Sequence, residues 1–329
     1  MNAISERRPT RDEPTEFPPA RISDRKRDPT KKAEERVIGA NVEFYRQIAD
    51  KYESYEPYLF DKILQKTLED DLDKIGSYFA ALGRAPSCLE CGGGTGNLTL
   101  KMCARGWDVT VVDISEHMLD MLKEKAFKRG YSPALVRSSI ERFLEATDES
   151  FDLVAFSSVL HHLYSYASVV EQAASHVRPG GLFYSNWDPT IPRNRFWARA
   201  VESIDIAAAK FILDPGDFLP GIWRRTRKLF RRHDSQFARP VVWAGDLAEY
   251  HAKTGVDDAQ IVRLLQARGF AVIEHQRFAV GRTAIVRFVN ERLRLLESSK
   301  IIARRSGEEI QGTKSSVGPH LECELLQHS

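Results

Sequence analysis

Cys88–Ser115, CLECGGGTGNLTLKMCARGWDVTVVDIS, is the stretch whose reading decides the fold. Cys88 and Leu89 start a short apolar strand. Glu90 follows, then glycines at 92, 93, 94 and 96, then a helix-compatible run from Leu98 to Arg105. A second strand, Val109 to Val112, ends on Asp113. Strand, glycine turn, helix, strand and closing acid are the wiring of a nucleotide site in an open parallel sheet. The glycines let the turn take positive φ and let a ligand approach the backbone with no Cβ in the way. Asp113 offers two carboxylate oxygens, enough to accept from both hydroxyls of one ribose.

The spacing is Glu90-x-Gly92-x-Gly94-x-Gly96 rather than G-x-G-x-x-G, and an acid opens the run. A pyrophosphate would be repelled by Glu90, whereas a cationic ligand would be attracted. On Glu90, Gly92, Gly94, Gly96 and Asp113 the stretch resembles the first two motifs of the class I S-adenosylmethionine-dependent methyltransferases. The resemblance implies that the glycine loop passes under the amino-acid end of S-adenosylmethionine and that Asp113 holds its ribose. A dinucleotide-binding fold, or a ligand-free copy of the motif, is the bland alternative.

Composition sets the outer bounds. The 329 residues fit one large domain or a domain with an insertion, and 42% hydrophobic content is ordinary for a soluble globular chain. Lys plus Arg (48) against Asp plus Glu (46) leaves a net charge of +2, which argues for no partner. Cys88 and Cys91 form a C-x-x-C, but on a strand entering a turn and with no second pair to complete a metal site, so they read as core cysteines and no metal is expected. With neither disulfide signals, nor an apolar signal core, nor an apolar run of membrane-spanning length, a cytoplasmic protein is expected, or one peripheral to a membrane.

In chain order, residues 1–35 are charged, rich in Pro and poor in large apolar side chains, and read as a disordered arm. From Val42 to Tyr58, Phe44, Ile48 and Tyr52 recur at helical spacing, with Tyr45, Tyr52 and Tyr55 as notable side chains. This segment resembles the helix that folds over the cofactor in small-molecule members of the family, which implies that Tyr45 and Tyr52 stand near the cofactor; an aromatic face attracts a sulfonium. A second helix, about Phe60 to Leu82, stops at Gly83 and Pro86. Ser115 can cap a helix running to about Lys128, and the third strand is Ala134 to Arg137. Ile114 and Met118 are candidates to sandwich the adenine. Where many relatives have an acid for the adenine amino group, this chain has Ser138 and Ser139; Ser139 can still accept one hydrogen bond. The resemblance also places Ile140 and Ser157 at the cofactor.

Asp152 to Ser158 is an apolar fourth strand, followed by His161 and His162, a helix, Arg178-Pro-Gly-Gly and a fifth strand, Leu182 to Trp187. The loop after strand four lacks the N/D-P-P-Y motif of base-amino methylases and the paired glutamates of arginine methylases. One of the histidines either bonds the backbone or acts as general base, since imidazole titrates near neutral pH. The resemblance couples His161 with Asp188, past the end of strand five.

Residues of about 190–250 form an insertion. Arg193 to Arg232 holds ten Lys or Arg against four acids, interleaved with Phe196, Trp197, Phe211, Phe218, Trp223 and Phe230. Two helices are expected there, about Phe196 to Ile212 and Ile222 to Arg232. The segment reads first as a lid with an apolar underside, and otherwise as a surface for anionic membrane or RNA phosphates. The core resumes with a helix from Asp257 to Arg268, strands Ala271 to Phe278 and Thr283 to Val289, a last helix near Asn290 to Ala303, and a disordered tail over 305–329.

The expectation is therefore a Rossmann-like three-layer sandwich spanning 36–304, with a mostly parallel seven-stranded sheet, one antiparallel strand near its edge and an inserted helical lid. In function it is a methyltransferase of the small-molecule, quinone-methylase-like branch, with S-adenosylmethionine as donor and a small aromatic or lipophilic acceptor methylated on oxygen or carbon. The catalytic candidates are His161, His162 and Asp188. A non-catalytic cofactor-binding assembly or regulatory protein is the alternative, and an RNA methylase the third reading. No obligate protein partner is expected.

Overall fold

The computed structural model describes residues 15–16, 29–48, 61–192, 196–201, 203–205, 250–252, 254–281 and 284–307. The strands are β1 (Thr15–Glu16), β2 (Ser87–Cys91), β3 (Asp108–Asp113), β4 (Ala134–Arg137), β5 (Phe151–Ser157), β6 (Val177–Pro189), β7 (Phe270–Ala279) and β8 (Glu297–Arg305). The helices are α1 (Pro29–Ile48), α2 (Lys62–Phe79), α3 (Asn97–Ala104), α4 (Glu116–Lys128), α5 (Ile140–Ala146), α6 (Tyr166–Ser175), α7 (Asp258–Ala267) and α8 (Ala284–Leu293), with a 3-10 turn at Leu160–His162.

The strands lie in the order β1-β4-β3-β2-β5-β6-β8-β7. All pairings are parallel except those of β8, which runs antiparallel to both β6 and β7. The expected seven-stranded sheet is thus present, and the two-residue β1 extends it beyond β4. Side chains alternate across the strands with period two, as a sheet covered on both faces requires. Leu89, Val112, Val154, Phe183 and Ile301 point to one core, against α5, α6 and α7. Cys88, Val111, Leu153, Tyr184 and Ile302 point to the other, against α2, α3 and α4. Cys88 and Cys91 are buried and free.

Helix starts follow local chemistry. Asp61 caps α2 by accepting from the Ile63 and Leu64 N–H groups, Ser115 caps α4 through Met118, and Asp257 caps α7 through Gln260. Each such cap contributes about 1 kcal/mol. On α2, Leu68, Leu72, Ile75 and Phe79 recur at helical spacing and are buried.

Three expectations are corrected. The charged arm is helical from Pro29, because Lys, Ala and Glu favour helix and Val37, Ala40 and Asn41 give α1 a buried face. The strand expected over Thr283 to Val289 is helix α8: Ile285, Val286 and Val289 are β-branched, but Val286 and Asn290 are the buried pair, one turn apart. The helix expected over Asn290 to Ala303 ends at Leu293, and the chain continues as strand β8 through Arg305, the first residue of the expected tail. Strand β8 carries a buried cation. Lys300 Nζ pairs with Asp71 Oδ1 at 2.7 Å and Glu274 Oε1 at 2.6 Å, and the Tyr184 hydroxyl donates to Asp71 Oδ2 at 2.9 Å.

Of the insertion, residues 196–201 and 203–205 are helical. Its remaining expected helical stretches, and Tyr52, Tyr55 and the tail beyond Gly307, lie outside the described residues. Among the described residues no helix is long and apolar enough to cross a membrane.

Candidate active site

A cleft opens at the carboxyl ends of β2, β3, β4 and β5, with about 1050 Å³ of empty space including its mouth. This is the crevice where open α/β sheets bind ligands. The floor is the glycine turn. Gly94 has φ +51°, lines the cleft, and a Cβ built on it would meet nothing within 4 Å. Ligand could therefore approach its backbone. Gly96 works differently: it caps α3 in the left-handed conformation at φ +89°, and a Cβ there would stand 2.2 Å from Leu122 Cδ1. It shapes the turn and does not line the cleft.

Asp113 is locked from behind. Gly94 N–H donates to its Oδ2 and Ser115 N–H to its Oδ1, both at 2.8 Å. The carboxylate's four lone-pair sites exceed its backbone donors, which leaves room for a ligand hydroxyl. Burial raises the Asp113 carboxyl above the ordinary range, and the N–H groups of Ser115, Gly94 and Ile114 oppose that rise. Glu90 is buried beneath the loop and takes a short hydrogen bond from the Thr99 hydroxyl. Desolvation pushes its carboxyl up to about 8, with Thr99 lowering and the Asp113 charge raising it. Beyond Asp113, Ile114, Met118 and Ile140 form an apolar wall suited to a flat base.

The serines divide their roles. Ser139 caps α5, accepting from Arg142 N–H at 3.3 Å. Ser138 Oγ is buried on the cleft wall with no protein partner. Sequence reasoning chose Ser139; helix capping by the second serine is the signal that leaves the first for a ligand. Glu34 from α1 and Glu141 from α5 line the same end, and burial raises both carboxyls.

At the opposite end stands the histidine turn. His162 lines the cleft; its Nε2 lies 2.9 Å from the Tyr45 hydroxyl, and its carbonyl accepts from Asn41 Nδ2 at 3.3 Å. His161 is buried behind it, the two ring centroids 3.9 Å apart. Its Nδ1 lies 2.8 Å from Asp188 Oδ1, which also accepts from the His161 backbone N–H at 3.2 Å. A bulge makes that pairing. On a regular strand Asn186 and Asp188 would share a face, but the β6–β8 register shifts between them and Trp187 takes φ +64°. Asn186 consequently bonds Tyr184 on one face, while Asp188 reaches His161 on the other.

The structure thus brings together on one cleft Tyr45, Glu90, Gly92, Gly94, Asp113, Ile114, Met118, Ser139, Ile140, Ser157 and His162. His161, Asp188 and Gly96 lie behind its wall, and Tyr52 is outside the described residues. Sequence reasoning missed Asn41, Trp187 and Tyr164, and placed Glu34 in a disordered arm. The helical continuity of α1 back to Pro29 was the available signal for Glu34 and Asn41.

A Gly94 backbone open to ligand, a carboxylate with spare lone pairs, an orphan hydroxyl and a buried acid near an apolar wall fit an adenosine that carries a cationic chain. The fold and this cleft define a nucleoside-ligand site on a Rossmann-like sheet. A family model described as a methyltransferase domain matches residues 89–185. A ubiquinone biosynthesis O-methyltransferase of Aromatoleum aromaticum is 31% identical over 195 residues, covering 58% of this chain and 71% of that protein. Another, of Hahella chejuensis, is 36% identical over 124 residues, 37% of this chain and 50% of that protein. A tRNA 5-carboxymethoxyuridine methyltransferase of Escherichia coli is 30% identical over 124 residues, 37% of this chain and 46% of that protein. The chain spans about half the length of several curated relatives it matches. It belongs to the class I S-adenosylmethionine-dependent methyltransferases, and S-adenosylmethionine is the cofactor.

Proposed function

We propose that the protein transfers a methyl group to a small aromatic or lipophilic acceptor, on oxygen or carbon. The observation that carries this reading is the Tyr45–His162 pair, 2.9 Å apart, at the end of the cleft away from Ile114 and Ser138. The cofactor supplies an activated methyl on a sulfonium. The chain supplies alignment of the acceptor and an exit for its proton. Here His162 is the base that takes a hydroxyl proton, Tyr45 fixes the orientation of its ring, and Asp188 holds His161 as the stacked support.

The acceptor end is lined by Val159, Leu163, Tyr164 and Trp187. The described lining residues include four carboxylates, Glu34, Glu90, Asp113 and Glu141, and no Lys or Arg. That lining suits a neutral ring better than a polyphosphate backbone, and it agrees with the named activity of the ubiquinone relatives more than with that of the tRNA relative. With this reading go the expected cytoplasmic location and a basic stretch 193–232 read first as a lid, and otherwise as a surface for anionic membrane.

The test is transfer of labelled methyl from S-adenosylmethionine to catechol, a prenylated catechol and bulk tRNA, beside calorimetric cofactor binding. Methylation of the prenylated ring is the expected result. Label in tRNA alone would favour the nucleic-acid reading. Cofactor binding without transfer to any acceptor would favour the non-catalytic one.

A further inference from the structure

The insertion leaves and re-enters the core at a single place. Ile191 N–H donates to Val256 O at 3.3 Å and Val256 N–H to Pro189 O at 2.7 Å, beside an isolated parallel bridge between Thr190 and Val256. Asp188 stands two residues before Thr190. The returning limb meets the histidine turn directly: His251 N–H donates to the His161 carbonyl at 2.7 Å. The His251 ring then reaches over the end of that turn, with Nε2 3.4 Å from Tyr164 O and Nδ1 3.4 Å from Thr254 Oγ1. A carbonyl only accepts, so Nε2 carries the proton, and the Thr254 hydroxyl beside Nδ1 donates to the His251 carbonyl at 3.4 Å. Edge-on rings pack around it, Tyr166 at 5.1 Å and Tyr250 at 4.8 Å, and Tyr250 in turn meets Tyr164 at 5.4 Å.

Beside Asp188, helix α1 and the returning limb each place a polar hold on the histidine turn. Helix α1 takes the His162 end through Asn41 and Tyr45. The insertion's returning limb takes the His161 and Tyr164 carbonyls through one residue, His251. The His161 carbonyl lies within a 3-10 turn too short to satisfy it, and the Tyr164 carbonyl lies just beyond that turn. Gly255 fixes the approach of the limb: it has φ +79°, and a Cβ there would lie 2.3 Å from the Thr190 carbonyl carbon and oxygen.

We infer that His251 is a positioning residue that sets the geometry of His161 and His162, coupling the limb at 250–252 to the proton-accepting turn. This rests on the methyl-transfer reading of the cleft for its consequence, but not for its geometry. The titratable groups around the turn are Asp188 on β6, Tyr45 on α1, Tyr164 and Tyr166 after the turn, and His251 with Tyr250 on the returning limb.

The test follows the ring signals of His161 and His162 by NMR across pH 5 to 9, in full-length protein saturated with S-adenosylhomocysteine. His251→Ala should shift the titration midpoint of at least one ring by about half a unit or more, while S-adenosylhomocysteine affinity stays within about twofold. His251→Gln restores a donor for Tyr164 O and should return most of the shift. Gly255→Ala, which pushes the limb off Thr190, should reproduce the His251→Ala effect. With catechol as acceptor, His251→Ala should lower kcat about tenfold with KM little changed. Wild-type ring titration in both His251→Ala and Gly255→Ala would overturn the inference. So would a shift in His251→Ala that His251→Gln fails to restore. Since the ring signals need no turnover, failure of catechol methylation alone would count against the proposed function and leave this inference standing.

Discussion

Glu90 is a buried carboxylic acid with no cation paired to it among the described residues, and replacing it by glutamine has a worked consequence. Its carboxyl is raised from 4.5 to about 8, chiefly by burial. The folded protein therefore keeps a proton that the unfolded chain sheds above the ordinary value. The stability tied to that proton is fully present below about pH 4.5 and is lost as pH rises through about 8. The slope approaches about 1.4 kcal/mol per pH unit inside that window. Between pH 5 and 7.5 the wild type should thus lose about 3 kcal/mol relative to Glu90→Gln, whose amide can still accept from Thr99 and does not titrate. Urea unfolding of both proteins without cofactor, at half-unit steps of pH, measures the difference. Parallel stability curves would refute the reasoning. The ligand side runs the other way, because an ammonium near Glu90 favours the carboxylate. S-adenosylhomocysteine binding at pH 7 should release a proton from the wild type and none from Glu90→Gln, seen as buffer-dependent binding heat. The affinity of the variant should fall about tenfold or more.

Asp113→Ala should weaken S-adenosylmethionine binding about tenfold or more, since charge-assisted hydrogen bonds are worth about 1.5–3 kcal/mol; unchanged calorimetric affinity in a folded variant would remove Asp113 from the site. Gly94→Ala should fold with a loss of about 1 kcal/mol and bind cofactor poorly, whereas Gly96→Ala should lose more stability because its Cβ meets Leu122; thermal melts beside calorimetry separate the two. Tyr45→Phe should lower methylation of catechol about tenfold at constant cofactor affinity, read from steady-state kinetics. At the far end of the sheet, burial works against the Asp152 charge, but bonds from Arg84, the Ser87 N–H and Arg178 hold its carboxyl at about 2. That stability is present above about pH 4 and lost as pH falls through about 2, so Asp152→Asn should flatten the acid limb of unfolding without touching cofactor affinity.

The half of the fold around the cofactor was legible because local signals and tertiary needs agree there. Gly92 to Gly96, Asp113, Ser115 and the apolar runs of β3 and β5 each dictate their own conformation. The far edge was not, because its logic is non-local. Lys300 sits in the middle of β8 only because Asp71, far away in sequence, and Glu274 neutralise it, and no periodicity in ESSKIIARR announces that. The β-branched residues of α8 favour a strand by propensity and are overruled by packing. At the site, residue type identified the histidine pair, but the order of the two rings relative to the cleft depends on the bulge at Trp187. A one-residue irregularity of that kind leaves no trace in the alternation of β6.

The junction at Thr190 and Val256 also bears on what the core can tolerate. Pro189 and Ile191 are hydrogen-bonded to Val256, and Thr190 to Glu297, so the chain between them joins two points already fixed on the core. Its closure entropy grows only with the logarithm of its length, about 0.6 kcal/mol for each doubling. Changing the length of that chain ahead of the 250–256 limb should therefore cost the core little. The architecture separates the strand ends that shape the cleft from an excursion whose two anchor points are fixed independently of its length.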